Sequence, residues 1–513
     1  MNFKKRINIG VLVAASALTP AVVSAQQIHP ITQAMLDGYE QLLSQNPDDW
    51  FTLYERASQY YRLNDYDKAL ADILHALRCT PEKEKDQIAS ERSLAADIYT
   101  QTKEYDKALE QIDAAIDVFP GSYPLLYQKG NICMYLGRTD EARKCFQSML
   151  RLKSRSQEAL FGLAKCAVLD GDSGEAHSYM DQAEKIDPSN YITYCRLGDL
   201  YADMDEIQNA AANYLSAFSL NSRDDRSLSS LLALGKRDYP AVAEALDYAI
   251  SKTSNTVPLL FLKGNIAKET SHIADAYDAY SRLMKTPEGG APEVLATMAE
   301  ICRDNNSLTE ALGYADRTVS LSPKPKNLLL KASLEYDLKN YAAATKLCDT
   351  VLASEAENAD ALLLAALCAL ASKDNAKASD YLNLAVNANP LDIRPLLLRG
   401  MLAKDNNLTT LPGNADFVRA AHLVADTDEQ LVYKAIAQAE SGKSLDASET
   451  MKTVMDKAST DPQSAYLTAL FYVSTGNIAK GKEALENARK LGFDNKYLLE
   501  TYSAPVFSIA PLR

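Results

Sequence analysis

Small residues recur in this chain at a fixed interval, and that interval restricts the fold more than any other feature. Ala108, Ala142, Ala176 and Ala210 stand 34 residues apart. Another small residue sits twelve positions before each: Ala96, Gly130, Ala164 and Gly198. Three positions after these come Tyr99, Cys133, Ala167 and Tyr201. Four past the first set stand Ile112, Phe146, Met180 and Tyr214, and seven past it Ala115, Met149, Ala183 and Ala217. Intervals of three, four and seven put residues on one face of a helix. The twelve-residue step crosses a short turn onto a second helix, with turn signals at Asn64-Asp65, Gly137 and Gly171-Asp172. Pro120 and Pro188 close two of the units. A hairpin of this size cannot bury its apolar face alone, so neighbouring hairpins must stack.

The pattern resembles the tetratricopeptide repeat, a 34-residue helix–turn–helix family. A first unit carries Ala57, Tyr60, Ala69, Ile73, Ala76 and Pro81. Later units carry Gly264, Ala267, Ala276 and Tyr280, then Ala299, Cys302, Ala311 and Pro323, then Ala332, Ala344 and Cys348. Ala366, Ala369, Ala378, Leu382, Ala385 and Pro390 follow, and the last clear unit has Ala469, Tyr472, Leu485 and Ala488. Weaker units near 223–256, 393–427 and 428–461 complete thirteen candidates between Trp50 and about Phe493. The resemblance implies an all-α fold, a right-handed superhelical solenoid of about 12–13 stacked antiparallel helical hairpins over residues 50–493. The spacing shortens at 221–228, Pro287, Gly289, Gly290 and Pro292 interrupt 285–292, and Leu408 to Gly413 interrupt 405–427; these three stretches read first as loop variation, with joints between semi-rigid blocks as the alternative. Gly481 replaces the small-residue Ala of the last unit.

The ends read differently from the middle. Lys4, Lys5 and Arg6, an apolar stretch from Ile7 to about Leu18, and Val23-Ser24-Ala25 form the layout of a signal peptide covering residues 1–25 and cut after Ala25. Residues 26–49 hold one helix, Ile31 to Gln45, expected to cap the solenoid, and 494–513 a C-terminal cap and tail. The apolar stretch is short for a bilayer, which takes about 20 apolar residues, and no later run is long enough. The expected product is therefore exported and periplasmic, or else secreted or surface-associated, without a transmembrane segment in the mature chain. Lys+Arg total 54 against Asp+Glu 68, a net charge of −14, which argues against a nucleic-acid partner.

Chemistry is hard to find. His29, His75, His177, His272 and His422 fall in different units, so no metal cluster is expected. A glycine-rich phosphate loop and a Gly-x-Ser-x-Gly elbow are both missing from the sequence. No enzyme activity, cofactor or metal is expected. The eight cysteines read as small buried hydrophobes, with Cys133 and either Cys145 or Cys166 as the first place to look for a bond.

The family resemblance implies that first helices line the concave surface and bind extended peptides or helices there. Carried onto this chain, that face holds Tyr54, Tyr61 and Arg62 in the first unit and Asp97 in the second. Tyr127, Asn131 and Tyr135 follow, then Lys165, then Arg196 and Asp199, and further on Asn265 and Lys268. The tyrosines suit either aromatic anchoring of a ligand or packing between adjacent first helices. Leu363, Leu364, Leu367 and Leu370 are expected to form a closed core. One subclass of the family grips a peptide carboxylate with Lys and Asn, but Tyr127 and Phe261 stand where that Lys would be, so the clamp is not carried over. The Lys-Gly-Asn triplets at Lys129 and Lys263 suit a shared hairpin geometry. The expected function is a non-catalytic scaffold of the cell envelope that binds a protein or peptide on its concave face. The alternative is an envelope assembly or glycan-associated factor with tyrosines as sugar platforms.

Overall fold

The computed structural model describes residues 30–406, 411–493 and 495. Among these, every helix but one short 3-10 segment is an α-helix, and they follow one another in antiparallel pairs. A single helix, α1 (Pro30–Gln45), precedes thirteen pairs. The first five are α2 (Trp50–Arg62) with α3 (Tyr66–Cys79), α4 (Lys85–Gln101) with α5 (Tyr105–Val118), α6 (Tyr123–Tyr135) with α7 (Thr139–Leu152), α8 (Gln157–Leu169) with α9 (Ser173–Glu184), and α10 (Tyr191–Asp203) with α11 (Ile207–Leu220). Next come α12 (Asp225–Arg237) and α13 (Tyr239–Lys252), then α14 (Val257–Glu269) with α15 (Ile273–Leu283), α16 (Pro292–Asp304) with α17 (Leu308–Leu321), and α18 (Pro325–Asp337) with α19 (Tyr341–Ser354). The last four are α20 (Ala359–Ala371) with α21 (Asn375–Ala388), α22 (Ile393–Asp405) with α23 (Asn414–His422), α24 (Asp428–Glu440) with α25 (Ser444–Lys457), and α26 (Pro462–Ser474) with α27 (Ile478–Lys490). The chain divides into two compact units, one ending at Ser230 and one running on from Leu231.

One turn closes most hairpins. Lys103, Gly137, Gly171 and Asp205 all take left-handed backbone, with φ of 63°, 70°, 76° and 62°, at the same 34-residue spacing as the alanines. Beside them the N–H groups of Glu104, Arg138, Asp172 and Glu206 donate to the carbonyls of Tyr99, Cys133, Ala167 and Tyr201 at 2.8–2.9 Å. This pairing reaches back across five residues and satisfies carbonyls that the helix end would leave open. Asn64, Ser271, Asn306, Lys339 and Lys373 adopt the same conformation in their hairpins. Several of these carry no turn signal of their own, so the closing hairpin imposes the left-handed state on side chains that rarely take it. Asp238 alone joins α12 to α13 without such a residue, and its side chain caps the Ala241 N–H at 3.2 Å.

The small positions are sized to their partners. A Cβ added at Gly130 would stand 2.7 Å from the Phe146 ring, one at Gly198 2.6 Å from Tyr214, and one at Gly400 2.7 Å from Phe417. Gly264 bears on the Tyr280 ring in the same way. Where the first helix offers Ala57, Ala96, Ala164 or Ala366 instead, the buried residue sixteen positions on is Ile73, Ile112, Met180 or Leu382. Glycine thus admits an aromatic ring and alanine an aliphatic chain, and both solutions fill the space between helices. The interruptions are local. Residues 287–290 form a single 3-10 turn in which Gly289 lies against the Met284 backbone. α23 is only nine residues long and is entered through Gly413 at φ 55°.

All eight cysteines are free thiols, and seven are buried. Burial pushes the thiols of Cys133 and Cys166 up to about 11, and neither is bonded to the other or to Cys145. Leu363, Leu364 and Leu367 are buried in one apolar cluster, with half-buried Leu370 packed against it, which is the closed-core arrangement. No helix among the described residues is long and apolar enough to cross a membrane. The expected signal peptide lies outside the described residues, as does the C-terminal cap apart from Asn495.

Candidate functional site

In the first unit, α2, α4 and α6 lie side by side and leave a groove of about 800 Å³ along their faces. Asp86, Ser90, Ser93 and Asp97 form one stripe of α4 at helical spacing. Tyr54 of α2 and Leu125 of α6 flank it, and Phe119 and Pro120 close one end. Gln128 holds α6 to α4: its Nε2 donates to the Ser93 carbonyl at 2.8 Å and to Asp97 Oδ1 at 2.6 Å, and the Ser93 hydroxyl donates to its Oε1 at 2.7 Å. Burial raises the Asp97 carboxyl, and the Gln128 bond opposes that rise. Tyr61 is likewise raised, by burial and then by the neighbouring Asp97 charge.

The structure brings Tyr54 and Asp97 into this groove and distributes the other expected residues elsewhere. Tyr61 packs its ring against Tyr66 at 5.9 Å, and Arg62 is exposed at the end of α2. Tyr127 meets the Phe146 ring edge-on at 6.4 Å. Tyr135 is 61% exposed and stacks at 5.2 Å on Tyr105, so it sits at the helix ends beside the turns rather than with Tyr127 and Asn131. Lys165 pairs with Asp203 of the next first helix. Arg196 lies 4.5 Å over the Phe161 ring. Asp199 accepts the Tyr214 hydroxyl at 2.7 Å and also pairs with Arg226. Sequence reasoning missed Ser90 and Ser93, although their spacing with Asp86 and Asp97 carries the signal.

In the second unit the corresponding side chains bind one another. Asn265 accepts the Tyr280 hydroxyl at 2.7 Å. Lys268 of α14 pairs with Glu300 of α16, and Arg303 of α16 with Asp337 of α18. Burial by itself would raise Glu300, but the adjacent Lys268 ammonium outweighs it and holds the carboxyl low. The Lys-Gly-Asn triplets now have a structural account. Lys129 reaches back to Asp113 at 2.6 Å and Lys263 to Asp247 at 2.7 Å, each tying a first helix to the preceding hairpin. Lys331 does the same to Asp316 at 2.7 Å. The glycine seats the aromatic ring. The asparagine takes that ring's hydroxyl when one exists: Phe146 has none, and Asn131 has no hydrogen-bonding partner among the described residues.

A second cavity of about 490 Å³ lies within the second unit, between α14, α16 and α18 on one side and α24 and α26 on the other. Its walls include Glu300, Arg303, Leu330, Glu429, Tyr433 and Tyr466. The Ser271 hydroxyl donates to Gln463 at 3.3 Å across this space, joining helices far apart in the sequence. Burial, and then the Glu269 charge, push the Glu429 carboxyl up.

Sequence profiles of the tetratricopeptide repeat match residues 127–191, 191–224 and 335–402. A repeat-containing protein of Methanocaldococcus jannaschii is 24% identical over 228 residues, 43% of this chain and 34% of that protein. A DnaJ homolog subfamily C member 7 homolog of Schizosaccharomyces pombe is 24% identical over 168 residues, 30% of this chain and 35% of that protein. The chain therefore spans about a third of the length of these curated relatives. Yeast Tom70 aligns over 89% of this chain and 98% of its own at 17% identity, with a TM-score of 0.39.

Proposed function

We propose that this chain of tetratricopeptide repeats is a non-catalytic scaffold that holds an extended segment of another protein against the faces of α2, α4 and α6. Proteins of this fold typically mediate protein–protein interaction. The observation that carries the assignment is the open groove under Tyr54, with a polar stripe and Leu94 along α4 and Leu125 of α6 facing it. Backbone N–H groups of an extended segment suit the oxygens of Ser90, Ser93 and Asp97. The leucines suit an aliphatic side chain, and Asp86 and Asp97 favour a segment carrying Lys or Arg. A full interface of about 1,200–2,000 Å² would extend from the groove onto neighbouring first helices, including Tyr127 and Asn131. The basic and then apolar start of the sequence supports export to the periplasm as the setting.

Random-peptide display against the immobilised full chain tests the assignment. Enriched peptides should carry a basic residue next to an aliphatic one. Their affinity should fall by roughly tenfold or more on Ser90→Arg or Asp97→Asn, with thermal melting little changed. Peptides that bind both variants as well as the parent chain would contradict it, and so would a chain that enriches glycans on an array but no peptide.

A further inference from the structure

We propose that Asp48, His75 and Cys79 form a binding site for a borderline divalent cation, zinc above all. Asp48 lies in the turn between α1 and α2, while His75 and Cys79 sit four residues apart on α3 and so share one face of that helix. The fold brings them together: one ligand atom from each lies within 4.8 Å of the other two, and His75 Nε2 is 2.8 Å from Asp48 Oδ1. Spacing along the sequence sets the histidines too far apart for a metal cluster. It does not show that a carboxylate 27 residues upstream folds back onto the His75 face.

The donor set decides the ion. Thiolate, imidazole and carboxylate together suit zinc, whereas magnesium and calcium take oxygen donors. Bonds of about 2.0–2.3 Å in a tetrahedral site place neighbouring donors roughly 3.3–3.8 Å apart. The widest spacing therefore has to close by about an ångström and the His75–Asp48 pair to open by about half that, and Asp48, with 74% of its side chain exposed, has room to move. Cys79 is the one cysteine of the eight that is not buried, so its thiol stands apart from the seven that pack as hydrophobes. The Cys79 thiol lies within hydrogen-bonding reach of the same Asp48 carboxylate as His75, so sulfur and nitrogen donors converge on one oxygen donor. On binding, Cys79 loses its proton to solvent and the sulfur lone pair goes to the metal, while neutral His75 ligates through Nε2. Three protein donors leave a fourth position for water or for a donor from a bound partner. The bound ion would fasten the α1–α2 turn to the first hairpin.

Cobalt(II) titration of the reduced, metal-free full chain tests the site, because thiolate ligation gives a charge-transfer band in the near ultraviolet. The expected result is one equivalent of cobalt with that band, displacement by zinc, and loss of the band in Cys79→Ser. Asp48→Asn and His75→Ala should each weaken zinc by roughly tenfold or more while circular dichroism stays unchanged. Failure of the parent chain to bind cobalt, a band that survives Cys79→Ser, or equal zinc affinity in all three variants would overturn the proposal. Should a variant misfold, alkylation of the parent chain decides the matter without it: zinc should protect Cys79 from a thiol reagent, and unchanged labelling would refute the site.

Discussion

Asn131 and Asn265 follow the packing glycine of their hairpins at the same register, yet Asn265 accepts the Tyr280 hydroxyl at 2.7 Å, while the ring seated at Gly130, Phe146, has no hydroxyl to give Asn131. The contrast extends along both faces. On α14, α16 and α18 the polar groups are joined as Lys268 with Glu300 and Arg303 with Asp337. On α2, α4 and α6 a groove stays open beside the Ser93–Gln128–Asp97 bonds, with Ser90 and Asp86 on its wall. A first-helix face is thus open to a ligand where its neighbours leave a groove beside it, and the residue on the second helix has a share in deciding this.

Two substitutions would break that contrast if it is wrong. The larger effect belongs to Arg303→Ala. Asp337, whose side chain is fully buried, would lose the guanidinium beside it, at a cost of about 3–5 kcal/mol. Thermal denaturation measures this, and a change under about 1 kcal/mol would show that the ion pair does not hold the second unit together. The smaller effect separates the paired asparagines. Asn265→Ala should cost about 1 kcal/mol because it removes the acceptor of the buried Tyr280 hydroxyl. Asn131→Ala should stay within about 0.5 kcal/mol. Equal losses in chemical denaturation would mean that the two positions are not used differently.

Much of the architecture is legible in the sequence because it rests on short-range periodicity. The step from Ala96 to Ala108 or from Gly130 to Ala142 marks two helices and the turn between them, and among the described residues such helix pairs recur along the chain. The left-handed states of Lys103 and Lys339 could not be read, because lysine carries no such preference and the closing hairpin imposes it. The candidate site was less legible still. Lys165 with Asp203 and Lys268 with Glu300 join residues more than 30 positions apart, and helical spacing places each on a face without saying which neighbour it will meet. Tyr135 shows the same weakness from the other side: the family resemblance put it on the inner face, but the end of α6 turns it onto Tyr105.

The most direct measurement of the central claim is site-specific photocrosslinking of the full chain in its native host, with a benzophenone amino acid at position 54 or at position 261. Tyr54 flanks the open groove of the first unit, and Phe261 the smaller pocket beside Asn265 and Lys268 in the second. An open first groove and a second face whose polar groups bind one another predict a discrete protein adduct from position 54, abolished by Ser90→Arg, and none from position 261. Adducts from 261 alone, or an adduct from 54 that ignores the Ser90 change, would contradict it.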